Sequence, residues 1–136
     1  MNWTTWENVG IDRQASAWFI KKYVDSEASF SFIPRGEAPQ DAEHAFDTPS
    51  SKWTHRLGHC TFYMFVREYA PKDPILKKMA EIIDGADTAS DTLPPPESYG
   101  VEAICVGIRA SSSDDLEALE KSAAVFDGLY AYLSRR

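Results

Sequence analysis

The 136-residue sequence has only two cysteines, Cys60 and Cys105, which are too few for a disulfide framework. It also contains no Cys-x-x-Cys pair, no glycine-rich phosphate loop and no nucleophile elbow. These absences argue against zinc ribbons, thioredoxin-like chemistry, nucleotide binding and serine hydrolysis. No apolar run is long enough to cross a bilayer, and the first residues lack the basic and apolar regions of a signal peptide. We therefore expect a cytoplasmic protein that has no membrane partner.

Basic side chains are also few: 14 lysines and arginines face 21 aspartates and glutamates, which gives a net charge of −7. A nucleic-acid backbone is bound by a basic stripe, and none is visible beyond the short set of Arg13, Lys21 and Lys22 on one predicted helix, so we expect no nucleic-acid partner. The acidic balance suits a metal ion, a small molecule or a protein, and self-association into a homo-oligomer stays open. The length and the 43% hydrophobic composition predict one domain over residues 1–136.

Helical periodicity is the strongest pattern in the sequence. Apolar residues recur at three- and four-residue spacing, and Asp12 and Asp73-Pro74 suit the beginnings of two helices. The spacing and the stop signals predict helices over 12–24, 61–70, 74–85 and 98–110, and one that begins within 111–115.

Strand signals are confined to the N-terminal half. Residues 28–33 alternate apolar and polar side chains, 44–47 form a second short apolar segment, and we expect the two to pair. Residues 1–10 suit an extended arm or a short strand, and the proline-rich residues 88–97 suit a stiff connection. The predicted fold class is α+β: predominantly helical, with a small antiparallel sheet formed by the N-terminal half.

Two histidines, one cysteine and a carboxylate gather within residues 46–60. Imidazole, thiolate and carboxylate are the groups that a metal centre or a thiol-based reaction needs. Asp47 follows the second strand and Asp87 follows the third helix, so both carboxylates can converge with the loop residue His55. Each aspartate also has a structural explanation, since this residue is common in turns and beyond helix ends.

Cys60 lies at a predicted helix start, where the dipole and a nearby imidazolium would lower the pKa of its thiol. Burial as a small core residue is the alternative. His59 lies four residues after His55, a spacing that suits metal ligation on one helical turn, but Gly58 between them argues against a regular helix. Trp18 could wall a pocket, although tryptophan in a domain of this size is more often a core residue.

Several segments, taken together and in order, resemble a known family. They are Ile11-Asp12-Arg13-Gln14-Ala15-Ser16-Ala17-Trp18-Phe19-Ile20, residues 25–34, Phe46-Asp47, His55-Arg56, Cys60-Thr61-Phe62, Gly85-Ala86-Asp87-Thr88, Tyr99-Gly100 and Phe126-Asp127-Gly128-Leu129-Tyr130. Over nearly the whole chain they resemble the C-terminal domain of the chromate-resistance protein B family. The chain departs from that pattern after His55-Arg56, where the family has a glycine and an acid and this sequence has Leu57-Gly58-His59. The resemblance implies a setting in chromate resistance and its regulation, a stress response, more than it implies a defined reaction.

The residues and the resemblance lead to two hypotheses. In the first, His55, Asp87 and Asp47 hold a zinc, iron or manganese ion, and Cys60 and His55 carry a metal- or thiol-dependent redox or hydrolytic reaction. In the second, the chain is a non-catalytic sensory module for a metal or a small chromate-like oxyanion. The oxyanion contacts would then come from Arg13, Arg35, Arg56 and Trp18. A third possibility, a helical interaction domain with solvated acids, predicts no convergent polar pocket.

Overall fold

The structure, a computed structural model, describes residues 1–88 and 92–135. Residues 89–91, within the predicted connection 88–97, lie outside the described residues. The described residues form two β-strands and five α-helices. In chain order these are β1 (Asn2–Trp6), α1 (Ile11–Phe19), β2 (Ser29–Ile33), α2 (Thr61–Tyr69), α3 (Pro74–Asp87), α4 (Glu97–Ser111) and α5 (Asp115–Ser134). A π-helical segment, Ile20–Val24, extends α1, and a short 3₁₀ turn covers Ala42–His44.

The sheet consists of β1 and β2, which run parallel. The predicted antiparallel sheet of 28–33 with 44–47 is therefore wrong. The cause is the connection, because α1 crosses from the end of β1 back to the start of β2, and such a crossover leaves both strands pointing the same way. The segment 44–47 instead lies on the other side of β1, where Ala45 makes a single bridge to Thr4. The chain is thus mostly helical, with a small parallel sheet in its N-terminal half.

Two helices, α3 and α5, begin at capping side chains of the sequence. Asp73 accepts hydrogen bonds from two amides of the first turn of α3, and Pro74 takes the first helical position, as predicted. Asp114 does the same for α5 through the amide of Glu117. Each cap satisfies amides that a helix start leaves without partners, and a cap of this kind contributes about 1 kcal/mol.

The core is built around α1, which packs against all four other helices. Its interior is rich in aromatic rings, and each fully buried ring contributes roughly 1.5–3 kcal/mol. The completely buried phenylalanines are Phe19, Phe46, Phe62, Phe65 and Phe126. Within residues 1–88 and 92–135, no helix is long and apolar enough to span a membrane.

The C-terminal end of α3 differs from its predicted position. The helix ends at Asp87, two residues beyond the predicted end at Gly85. Gly85 is a packing residue, since an added Cβ would lie only 2.7 Å from Cβ of Pro94. The longer helix places Asp84 and Asp87 on its last turn, beside the loop 46–60.

Candidate metal centre

Four side chains from separate parts of the chain meet beside the N-terminal end of α2. Asp12 comes from α1, Asp47 and His55 come from the loop 46–60, and Asp87 ends α3. Nδ1 of His55 lies 3.0 Å from Oδ1 of Asp47. Nε2 of His55 lies 2.7 Å from Oδ2 of Asp87 and 3.7 Å from Oδ2 of Asp12. We call these four residues the carboxylate–histidine cluster; it contains the three residues that the sequence singled out, and Asp12 in addition.

Asp12 caps a helix other than its own. The cap position of α1 is occupied by Gly10, and Asp12 is buried in the first turn. Its carboxylate accepts hydrogen bonds from the amides of Thr61 at 3.0 Å and Phe62 at 2.8 Å, the first two residues of α2. An acid from α1 thereby gives hydrogen-bond partners to the first amides of α2, and its negative charge lies at the positive N-terminal end of that helix. This long-range contact fixes Asp12 in the cluster.

Asp47 is held from three sides. Its Oδ1 accepts a hydrogen bond from Oγ1 of Thr61 at 3.1 Å, and its Oδ2 lies 3.3 Å from Nε of Arg13. Its backbone carbonyl oxygen accepts a hydrogen bond from Nη2 of Arg13 at 3.0 Å. The backbone of Asp47 has φ of 55°, a left-handed conformation that aspartate tolerates better than most residues. These contacts direct its carboxylate at His55.

Carboxylates approach both ring nitrogens of His55 and favour its protonated form. The hydrogen bond to Asp47, then the one to Asp87, and the charge of Asp12 raise the pKa of His55 to about 9, while burial opposes them. At neutral pH His55 is therefore an imidazolium, with one N–H directed at Asp47 and the other at Asp87.

Two carboxylates of the cluster, Asp12 and Asp87, have raised pKa values. Burial, followed by the charges of Asp47 and Asp87, raises the pKa of Asp12 to about 7, although two helix amides act against this. Burial also raises the pKa of Asp87, as does the charge of Asp47, against the pull of His55 and Arg13. Three acids thus face one imidazolium and one guanidinium, and a further cation would relieve the excess negative charge.

The geometry of the cluster fits a metal ion. Asp12, His55 and Asp87 each offer one ligand atom, and these three atoms lie within 4.8 Å of one another. Two donors that each bind one ion at about 2.1 Å are separated by roughly 3–4 Å, so little movement is needed. Asp47, predicted as a ligand, instead contacts the opposite ring nitrogen. That position suits the outer carboxylate that orients a ligating histidine and fixes its tautomer.

The pKa of the Cys60 thiol is shifted in the opposite direction from the one expected for a thiol at a helix start. Its side chain is completely buried, and this burial, with the negative charge of Asp12, raises the pKa of the thiol well above its usual value. The expected lowering of this pKa is wrong because burial disfavours the thiolate, and the charges of Asp12, Asp84 and Asp87 add to this effect; Asp84 also accepts a hydrogen bond from the Cys60 amide at 2.8 Å. The surroundings of Cys60 therefore disfavour a reactive thiolate at neutral pH.

The arginines predicted to bind an oxyanion differ in their partners. Arg13 is paired with Asp47 inside the cluster. Arg56 donates a hydrogen bond from Nη2 to a backbone carbonyl at 3.0 Å. Arg35 lies over the ring of Trp6, 5.8 Å from its centroid, and Arg13 lies over the same ring at 5.6 Å. The structure thus does not bring the three guanidinium groups to one pocket among the described residues.

Two further residues from the sequence analysis lie outside the cluster. Trp18 lines a groove between α1, β2 and α5, and its indole N–H donates to Asp127 at 2.9 Å. Nδ1 of His59 lies 2.7 Å from Oδ2 of Asp84, one turn before Asp87. The two loop histidines therefore contact different carboxylates of α3. Sequence reasoning missed Asp84, which local spacing does not distinguish from any other polar helix residue.

Comparison with known proteins identifies the family. The family described as "ChrB, C-terminal domain" matches residues 3–133. The chain belongs to this family. Protein ChrB of Cupriavidus metallidurans is 26% identical over 133 residues, which cover 97% of this chain and 40% of that protein. The resemblance to the chromate-resistance protein B family is thus confirmed, and no solved structure matches the chain.

In this ChrB C-terminal domain, the segments that carried the resemblance surround the carboxylate–histidine cluster. Asp12 lies in the first of these segments, and Asp47, His55 and Asp87 each lie in a later one. The fold brings these segments together at the start of α2. The family motifs and the geometry therefore point to the same place in the molecule.

Proposed function

We propose that this domain binds one transition-metal ion through Asp12, His55 and Asp87, with Asp47 orienting the histidine. The observation that carries the proposal is that three donor atoms lie within 4.8 Å of one another, while a third carboxylate, that of Asp47, contacts the other nitrogen of the same ring. The ring of His55 faces three carboxylates, whereas the cluster holds only two cationic groups, His55 itself and Arg13. The excess negative charge calls for a cation.

The donor set limits the choice of metal. One imidazole and two carboxylates suit manganese, iron or zinc, because each of these ions accepts nitrogen and oxygen ligands. Binding would exchange the proton on Nε2 of His55 for the ion, since a ligating imidazole must be neutral. The carboxylate of Asp12 keeps lone pairs for an ion even while it accepts the two amides of α2.

The exposure of the cluster favours an open site over a closed structural one. The side chains of His55 and Asp87 are 44% and 25% exposed, so water or a small ligand can approach the space between the donors. An open site supports a metal-dependent redox or hydrolytic reaction, and equally the metal exchange of a sensory module in chromate resistance. Turnover by the metal-loaded protein separates these two roles. A module that binds an oxyanion through arginines has less support, because Arg13 is paired with Asp47.

Elemental analysis of the purified protein, followed by calorimetric titration of the metal-free protein with Mn(II), Fe(II) and Zn(II), tests the proposal. We expect one ion per chain, and affinity weakened by at least about 100-fold in His55→Ala. His44→Ala is the matched control, because His44 pairs with Asp41 at 2.9 Å outside the cluster. Binding that His55→Ala leaves unchanged, or the absence of any binding by the wild-type protein, would contradict the proposal.

A further inference from the structure

Helix α4 carries an exposed face that contains no charged residue. We call this the α4 face, and its seven members, all exposed, are Tyr99, Gly100, Ala103, Ile104, Val106, Gly107 and Ala110. Its large side chains are well exposed: Tyr99 by 66%, Ile104 by 52% and Val106 by 60%. Such a continuous apolar surface is unusual on a helix that faces water, and it typically marks an interaction site.

The opposite side of α4 is apolar as well. Val101 and Cys105 are buried there, where α4 packs against α3 and α5. The charged residues of the helix, Glu97, Glu102 and Arg109, all lie outside the α4 face. A helix with apolar residues on two opposite sides is usually covered by other protein surfaces on both sides. The described chain covers one of them.

We propose that two copies of this domain associate through the α4 face, with their α4 helices antiparallel about a two-fold axis. A two-fold interface sets a surface against itself, so the surface must be complementary to itself. The α4 face meets this condition because no charge on one copy would meet its like on the other. Its four glycine and alanine residues allow close approach of the helix axes, while Tyr99 and Val106 supply contact area.

The available area is consistent with a modest dimer. The 15 residues of α4 rise about 22 Å. Pairing over this length covers on the order of 500 Å² on each copy, close to the lower limit of specific interfaces. Leu93 is 92% exposed and lines a cleft that Tyr99 also lines. We expect a dissociation constant in the micromolar range.

The ends of the α4 face set the register of the pair. The face runs from Tyr99 to Ala110, so its centre lies midway between Ala103 and Val106. A two-fold axis through this centre places Ala103 of one copy opposite Val106 of the other. Opposite charges introduced separately at these two positions should therefore attract one another across the interface.

Analytical ultracentrifugation over a range of protein concentrations, from low micromolar upwards, tests the association. We expect a concentration-dependent dimer for the wild-type protein and a dissociation constant raised on the order of 100-fold for Ala103→Glu. Ala124→Glu is the matched control, because Ala124 is an exposed alanine in the middle of α5. Circular dichroism and thermal unfolding check that both variants keep the fold. A wild-type protein that stays monomeric, or an Ala103→Glu variant that dimerises like the control, overturns the proposal.

A mixing experiment tests the register. Val106→Lys alone should dissociate the dimer, since two copies would then bring lysine against an apolar surface. An equimolar mixture of A103E and V106K should form a heterodimer, with one salt bridge and one native apolar contact at the centre of the interface. A mixture that remains monomeric, while each variant keeps its fold, overturns the antiparallel two-fold arrangement.

Discussion

His55 is held among three carboxylates, and its protonation affects the stability of the metal-free protein. Its pKa is about 9 in the folded state and close to 6.5 in an unfolded chain. Because the folded state binds this proton more tightly, the ion pairs of His55 contribute fully below about pH 6.5 and are lost as the pH rises through about 9. We expect the free energy of unfolding to fall over this interval.

Urea denaturation of chelator-treated protein, at several pH values between about 6.5 and 9, measures this effect. His55→Gln removes the titrating group, so its stability should change less over the interval. Asp12 acts at lower pH, because its pKa is raised from 3.8 to about 7 in the folded state. Its protonated form stabilises the folded state at low pH, and this contribution is lost as the pH rises from 3.8 to about 7. If the free energy of unfolding depended on pH equally in the wild-type protein and in His55→Gln above pH 7, the pH dependence would not come from His55.

Asp47 is expected to affect metal affinity without being a ligand. Asp47→Asn replaces the carboxylate beside Nδ1 of His55 with a neutral amide, which weakens the orientation and the basicity of the ring. We expect metal affinity to fall by roughly 10- to 100-fold with the stoichiometry kept, as for other outer carboxylates. Calorimetric titration measures both quantities, and Asp127→Asn is a control outside the cluster. Unchanged affinity in Asp47→Asn would show that this carboxylate does not orient the ligand.

The two cysteines should be equally protected in the native protein. Both side chains are completely buried, and burial raises the pKa of Cys60 well above its ordinary value and that of Cys105 to about 12. We expect slow reaction of both with a thiol reagent at neutral pH, and rapid reaction of both after unfolding in guanidinium. Mass spectrometry of the labelled peptides distinguishes the two sites. Fast native labelling of Cys60 alone would mean that its surroundings open readily.

The candidate site was predictable from the sequence only as far as local signals reach. Asp47, His55 and Asp87 stand out because the sequence predicts each just outside a regular element and within a family segment, although Asp87 is the last residue of α3 in the structure. Asp12 did not stand out, because an aspartate at a helix start has an ordinary role as a cap. Its actual partner is the start of α2, which only the folded chain brings near. The dipole argument for Cys60 failed for the same reason, since burial and distant carboxylates outweigh one helix end.

Among the secondary-structure elements, α3 depends on Gly85 for its contact with the proline-rich connection. An added Cβ there would lie 2.7 Å from Cβ of Pro94 and 2.8 Å from Oγ of Ser98. We expect Gly85→Ala to lower the free energy of unfolding by about 1–3 kcal/mol, as overpacking does. Gly128→Ala in α5 is the matched control, since its added Cβ meets open space among the described residues. That variant should gain about 0.5–1 kcal/mol, because alanine favours a helix over glycine.

Urea denaturation compares the two glycine variants with the wild-type protein. A Gly85→Ala variant as stable as Gly128→Ala would mean that the connection moves away from α3 without cost. It would also weaken the view that close packing, rather than helix termination, explains this glycine.

The helices were more predictable than the sheet because their signals are local. Asp73-Pro74 marks the start of α3 within the segment itself, and the apolar spacing of α2 repeats within nine residues. Strand pairing depends on segments far apart in the sequence. β1 has no clear period, and its direction relative to β2 follows from the crossover through α1 rather than from either strand. The sequence pattern predicts that the segment 44–47 pairs with residues 28–33, whereas in the structure β1 makes this pairing.

For the whole molecule, the cluster joins segments that the chain separates widely. Asp12 belongs to the central helix, His55 to a loop, and Asp87 to the end of α3. An ion bound to all three would tie the loop 46–60 and α3 to the helix around which the core is built. The unfolded chain holds these donors far apart, so the ion should bind the folded state much more tightly. Binding and folding are then linked.

This linkage predicts that metal raises the thermal stability of the whole domain. At a free metal concentration 100 times the dissociation constant, the folded state gains about 2.7 kcal/mol. For a chain of this size, that gain corresponds to an increase in Tm of roughly 10 °C, which differential scanning calorimetry detects directly. The chelator should reverse it. His44→Ala should show the same increase and His55→Ala almost none, because only the second variant removes a donor. An equal increase in both would place the ion outside the cluster, since loss of the central imidazole leaves two carboxylates with no nitrogen between them.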